Sequence, residues 1–195
     1  MKKIFFLLSS VIAISSYAQN NKSTVPAELL TNDSTYWMIS TVSTIGYVNT
    51  TSGPNYNSYK SGGGMIVKFK FKENGRYEFL LYVQENTYGT DNEAWTQVEG
   101  TVEFTKDAKG QSIFITRAEK GTYRTTRNGL RPIPKEELEG QHSCTYLWEK
   151  ANLKDDPNNI YLLMVDMEEH PNIDLKDPKT IDPTWVSKFH IPSTP

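Results

Sequence analysis

The stretch "MIVKFKFKENGRYEFLLYV", residues 65–83, leaves the chain little choice of local structure. Met65, Val67, Phe69 and Phe71 alternate with Ile66, Lys68, Lys70 and Lys72. That period of two fits an extended strand with one buried and one wet face. Asn74-Gly75 then invites a reversal. A two-residue loop there sets Phe71 against Glu78 and Lys72 against Tyr77, so the faces conflict. A three-residue loop, Glu73-Asn74-Gly75, with Gly75 in the left-handed region of a bulge, pairs Phe71 with Tyr77, Phe69 with Phe79 and Val67 with Leu81. It also brings Lys70 opposite Glu78, and is the expected register.

The rest of the chain repeats this grammar. Strands are predicted over residues 35–48, 95–105, 111–117, 122–126, 143–150, 160–167 and 184–190. Asp107-Ala108-Lys109-Gly110 is the expected turn between the second and third of these, with Val102 and Phe104 facing Ile115 and Ile113. Asp155-Asp156-Pro157-Asn158-Asn159 is expected to turn the chain into residues 160–167. One short helix is predicted at "PAELL" (26–30), with Pro26 in its first turn. Eight or nine strands with short links predict an all-β, antiparallel up-and-down barrel. The alternative is a two-sheet β-sandwich, whose Greek-key crossovers need longer connections. Two loops exceed what hairpins need: 49–64, rich in Asn, Ser, Gly and Tyr, and 168–183, proline-punctuated and acidic.

The first residues, "MKKIFFLLSSVIAISSYAQN", join two lysines, an apolar run and small residues ending at Ala18. They read as a secretory signal peptide over residues 1–18, cleaved before Gln19. Residues 19–34 then form an N-terminal segment and 35–195 a single domain. Removing Lys2 and Lys3 leaves 19 Lys and Arg against 23 Asp and Glu, a net charge of −4. That balance argues against nucleic acid as a partner. No later apolar run approaches the roughly 18 residues that span a bilayer. The expectation is a soluble protein exported through the inner membrane, periplasmic or secreted. Cys144 is the single cysteine, so no internal disulfide can form and packing alone stabilises the fold.

Chemistry-bearing motifs are sparse. His142 and Cys144 project to one face at metal-ligand separation, but His170 and His190 lack ligand spacing relative to them. The expected outcome is a buried, quiet thiol and no metal or other cofactor. The paired acids Asp155-Asp156 and Glu168-Glu169 point apart on loops and serve solubility. No phosphate-cradling loop and no serine-hydrolase elbow occurs. A basic run, Arg117, Lys120, Arg124, Arg127, Arg131 and Lys135, contains only Glu119 as counter-charge. It reads as a solvated face, or as a complement to the acidic residues 166–182.

Trp37, the turn "FKENGRYEF", the strand "GTVEF" and a proline-containing loop leading to "TYLWEK" carry a resemblance over residues 35–167. In these features the chain resembles secreted bacterial lipocalin-like proteins, relatives of the calycin barrels. Trp37 follows Tyr36 without the glycine of the Gly-x-Trp lipocalin signature. The resemblance implies a barrel with a small apolar ligand, and no catalytic residues. On this basis the expected function is non-enzymatic binding of a lipophilic molecule at a barrel mouth covered by residues 49–64. The alternative is a glycan- or protein-interaction module using exposed aromatic loops. The candidate ligand-binding residues are Trp37, Tyr56, Tyr59, Trp95, Ile133, Leu138 and Trp148. Ile133 and Leu138 belong to an expected flap, residues 127–141, in which Pro132 and Pro134 force the chain out of the sheet.

Overall fold

Gly75 has φ +70°, a conformation that costs side-chain-bearing residues strain, and it closes the turn with its N–H on the Lys72 carbonyl at 3.1 Å. The register is the expected one: Phe71 opposes Tyr77, Phe69 opposes Phe79, and Lys70 opposes Glu78. The ion pair forms on the diagonal, however, between Lys72 and Glu78. The computed structural model describes residues 25–32, 34–48, 58–87, 90–174 and 177–191. The expected leader and Tyr56 lie outside the described residues.

Among the described residues there are nine antiparallel strands: β1 (Trp37–Val48), β2 (Ser58–Lys72), β3 (Arg76–Thr87), β4 (Thr90–Lys106), β5 (Ser112–Thr125), β6 (Arg131–Pro132), β7 (Thr145–Leu153), β8 (Asp156–Asp166) and β9 (Ser187–His190). All but β6 form a ring in which chain neighbours are sheet neighbours, β5 pairing with β7 and β9 returning to β1. This is an up-and-down barrel. It is uneven, because the long strands β1 to β5 outreach the short wall of β7, β8 and β9. Closure between β1 and β9 rests on one residue pair, Met38 opposite His190.

At one end the barrel is plugged. A 3₁₀ turn (Ala27–Leu29) buries Leu29 completely, and the Trp37 indole N–H donates to the Leu29 carbonyl at 3.0 Å. Thr31 bonds Phe71 from both sides, its N–H donating to the Phe71 carbonyl at 3.0 Å and its Oγ1 accepting from the Phe71 N–H at 3.0 Å. Every strand-edge polar group satisfied this way avoids a burial cost of about 1–3 kcal/mol. Above the plug, Phe69, Phe71, Tyr77, Phe114 and Leu162 are buried in one core. Each contributes roughly 1.5–3 kcal/mol by leaving water.

The β4–β5 register departs from expectation by one residue. The turn spans Asp107 to Gln111, with Lys106 opposite Ser112, so Val102 faces Thr116 and Phe104 faces Phe114. Asp107 explains the extra residue: its N–H donates to the Gln111 carbonyl at 3.0 Å, and its Oδ1 accepts from the Lys109 and Gln111 N–H groups at 2.9 and 2.8 Å. A one-residue slip reverses every side chain. Ile113 therefore points outward, where it joins Leu147, Val165 and Ile173 in a second buried cluster on the outer face of β5, β7 and β8. The acidic C-terminal connection covers this cluster with Ile173, Ile181 and Val186. Further along, β4 and β5 slip again at Glu99/Gly100, where a Cβ on Gly100 would lie 1.9 Å from the Arg117 carbonyl oxygen.

The flap fills the gap where β7 leaves β5. After Pro132, the Ile133 N–H donates to the Gly121 carbonyl at 3.0 Å, and α1 (Lys135–Gln141) follows Pro134. Ile133 and Leu138 are buried in the main core. They approach so closely that a Cβ on Gly121 would meet Ile133 Cδ1 at 2.9 Å and Leu138 Cδ2 at 3.1 Å. Residues 112–125 are consequently one strand rather than the two expected. Likewise the turn before β8 is Lys154-Asp155, and Asp156 to Asn159 already belong to the strand.

Candidate ligand cavity

Alternation along the strands decides what faces inward. On β2 the odd residues Met65, Val67 and Phe69 look into the barrel, and so do Ile39 of β1, Phe79 of β3, Tyr146 of β7, Met164 of β8 and Phe189 of β9. They enclose a cavity of about 460 Å³. That lies within the roughly 300–1,000 Å³ typical of small-molecule sites. Lys68, Lys70 and Lys72 of β2, on the even positions, face out. So does Lys188 of β9, exposed between Ser187 and Phe189.

Toward the open end the wall becomes polar, with Asp166, Glu169, His170, Thr184, Trp185 and Ser187. Asp166 ends β8 and builds the turn that follows: its Oδ1 accepts from the N–H groups of Glu168 at 2.8 Å and Glu169 at 3.4 Å, and its carbonyl accepts from His170 at 3.1 Å. His170 is thereby set against Trp185, the rings stacked at 4.3 Å and 11°. Trp185 ends a second short turn (Pro183–Trp185), capped by Asp182, whose Oδ1 accepts from the Thr184 N–H at 2.9 Å and hydroxyl at 2.7 Å. Those same bonds hold the Asp182 carboxyl below its usual range. The rim is thus built by local hydrogen bonding before any ligand arrives.

Deeper in, a second cavity of about 60 Å³ shares Phe69, Phe79 and Tyr146 with the first and adds Tyr77, Thr116 and His142. The Tyr77 hydroxyl donates to the His142 carbonyl at 3.3 Å. Burial pushes the Tyr77 phenol up to about 12, and drives Tyr146 higher, assisted by the neighbouring Cys144. Burial also lowers His142 and raises the Cys144 thiol. Both phenols are neutral hydrogen-bonding groups at neutral pH. Cys144 is half-buried rather than fully enclosed, because it precedes β7 on the flap side, its N–H donating to Thr116 Oγ1 at 3.0 Å. Among the described residues, no three His, Cys, Asp or Glu side chains converge as metal ligands would.

The sequence-derived candidates lie elsewhere. Trp37 is buried in the plugged end. Trp148 faces inward below Tyr146, edge-on to Phe104 at 5.6 Å, its indole N–H buried without a partner among the described residues. Trp95 is on the outer face, between Tyr82 at 5.2 Å and the Arg124 guanidinium at 3.9 Å. Ile133 and Leu138 are core residues of the flap. Tyr59 is described only as backbone, opposite Tyr47. None of the five described side chains lines the larger cavity. Its lining was readable only from parity: the positions in phase with Phe69 on β2, and Asp166 in phase with Met164 on β8.

Four of the six cations of the basic run form ion pairs locally, and Arg124 lies over the Trp95 ring. Arg117 pairs with Glu103 at 3.1 Å, Lys120 with Glu99 at 2.9 Å, Arg131 with Glu137 at 3.5 Å and Lys135 with Glu139 at 3.4 Å. Its partners come from β4 and α1, not from residues 166–182. No family model matches the chain, and neither a curated protein nor a solved structure matches it. Among the described residues, no helix is long and apolar enough to cross a membrane.

Proposed function

We propose that this protein is a non-enzymatic, exported lipocalin-like carrier that holds a small, mainly apolar molecule inside its barrel. The observation that carries the reading is the cavity of about 460 Å³, walled by Ile39, Val67, Phe69, Phe79, Met164 and Phe189 and open beside the exposed Met65 and Trp185. Displacing water from such a wall favours a hydrocarbon body at about 25 cal/mol per Å² buried. Tyr146 and the rim supply the few polar groups that orient a ligand. Export rests on the leader-like residues 1–18. Native mass spectrometry of the protein purified from its own host tests the reading. A retained small molecule, released by unfolding, is expected; an unliganded mass together with no uptake of added apolar compounds contradicts it.

A second reading rests on the outer face. Tyr82, Trp95 and Arg124 form a ladder across β3, β4 and β5, with Tyr82 Oη donating to Glu93 at 2.9 Å. A rigid aromatic strip beside polar groups fits a glycan or protein surface. Trp95→Ala abolishes binding to a glycan array if this face is the functional one, and leaves the interior cavity untouched.

A further inference from the structure

We infer that the cavity selects amphipathic ligands whose polar end is a protonated amine, and discriminates against carboxylates. The inference rests on the proposed binding role and adds the head-group chemistry. Among the described residues lining the cavity none is a lysine or arginine, whereas Asp166 and Glu169 stand at its polar end. Strand alternation produces this sorting, since Lys68, Lys70, Lys72 and Lys188 occupy the opposite parity to Val67, Phe69 and Phe189. The charge bias is therefore built into the wall, and a flexible side chain cannot easily reverse it.

Three features make the rim suit a cation. Asp166 is fixed, because its Oδ1 accepts two backbone N–H groups of the following turn. Glu169 is exposed at the mouth and able to swing toward a ligand, its Oε2 only 3.9 Å from His170 Nε2. Trp185, stacked with His170, offers an aromatic surface that attracts ammonium through the ring quadrupole. A carboxylate in the same place would meet two like charges in a partly desolvated site, which disfavours it strongly. Ser187 and Thr184 add hydroxyls that accept from an ammonium as well as from a neutral hydroxyl head.

Isothermal titration calorimetry with octylamine, octanol and octanoate separates the head-group claim from the binding claim. The expected order is octylamine tightest, by about tenfold over octanol, with octanoate weakest. Asp166→Asn with Glu169→Gln removes both charges, while the side-chain amide oxygen introduced by the first substitution keeps the acceptor that the turn needs. In that variant octylamine falls to the affinity of octanol, which itself is unchanged. Octanoate binding as tightly as octylamine overturns the inference and leaves the carrier reading standing, as does an unchanged octylamine affinity in the double variant. If none of the three binds, both fall.

Discussion

Gly100 shows how a single missing side chain lets two strands and a buried ring pack closely. Its missing Cβ is the space in which the Arg117 carbonyl and the Tyr77 ring lie, the latter at 2.9 Å from where a Cβ would sit. Gly100→Ala therefore forces backbone apart, and a loss of about 3 kcal/mol in urea denaturation is expected. Tyr77 itself carries a pH signature. Its ordinary value is 10.0 and its buried value about 12, with Tyr146 raised further. The unfolded chain thus releases these protons first, so the stabilisation is intact below pH 10 and is lost as pH climbs toward the buried values. The slope is up to about 1.4 kcal/mol per pH unit for each phenol. Stability measured between pH 10 and 12 should fall less steeply in Tyr77→Phe than in the natural protein; identical slopes contradict the assignment.

At the scale of elements, what could be read in advance was what strict alternation controls. The β2–β3 hairpin was legible because Lys and Phe alternate without a break and only one loop length keeps the faces consistent. The β4–β5 hairpin was not, because Gln111 reads as a strand residue yet is buried in the turn, its Nε2 donating to Asp107 Oδ2 at 2.9 Å. The acidic connection, residues 168–183, read only as a loop longer than a hairpin needs, since scattered apolar side chains in an acidic segment carry no period. It covers the outer cluster all the same. The flap's two anchors were identifiable from the prolines around them, and both are buried in the main core. With Ile133 at 5% and Leu138 at 4% exposure, replacing either by Ala should cost about 3 kcal/mol. A thermal midpoint unchanged in Ile133→Ala would instead make the flap a loosely held gate.

Across the whole molecule, unequal strand lengths create the site. Strands β1, β2 and β3 supply one side of the apolar wall and Tyr146, Met164 and Phe189 the other, while the short wall of β7, β8 and β9 ends early, so the turns after β8 and before β9 bring acids and aromatics to the rim. Aromatic count drew attention to Trp37, Trp95 and Trp148, yet Phe, Met and aliphatic residues in the inward phase form the body of the cavity, while Trp37 fills the base, Trp95 braces the outer face and Trp185 alone of the four indoles stands at the rim. The most direct test of this account is a Nile red titration of the natural protein beside Val67→Phe, a substitution that places a ring in the cavity's empty volume. The account predicts saturable binding with one site in the natural protein and its loss in the variant, at unchanged thermal stability. Equal binding by both proteins, or none by the natural one, contradicts it.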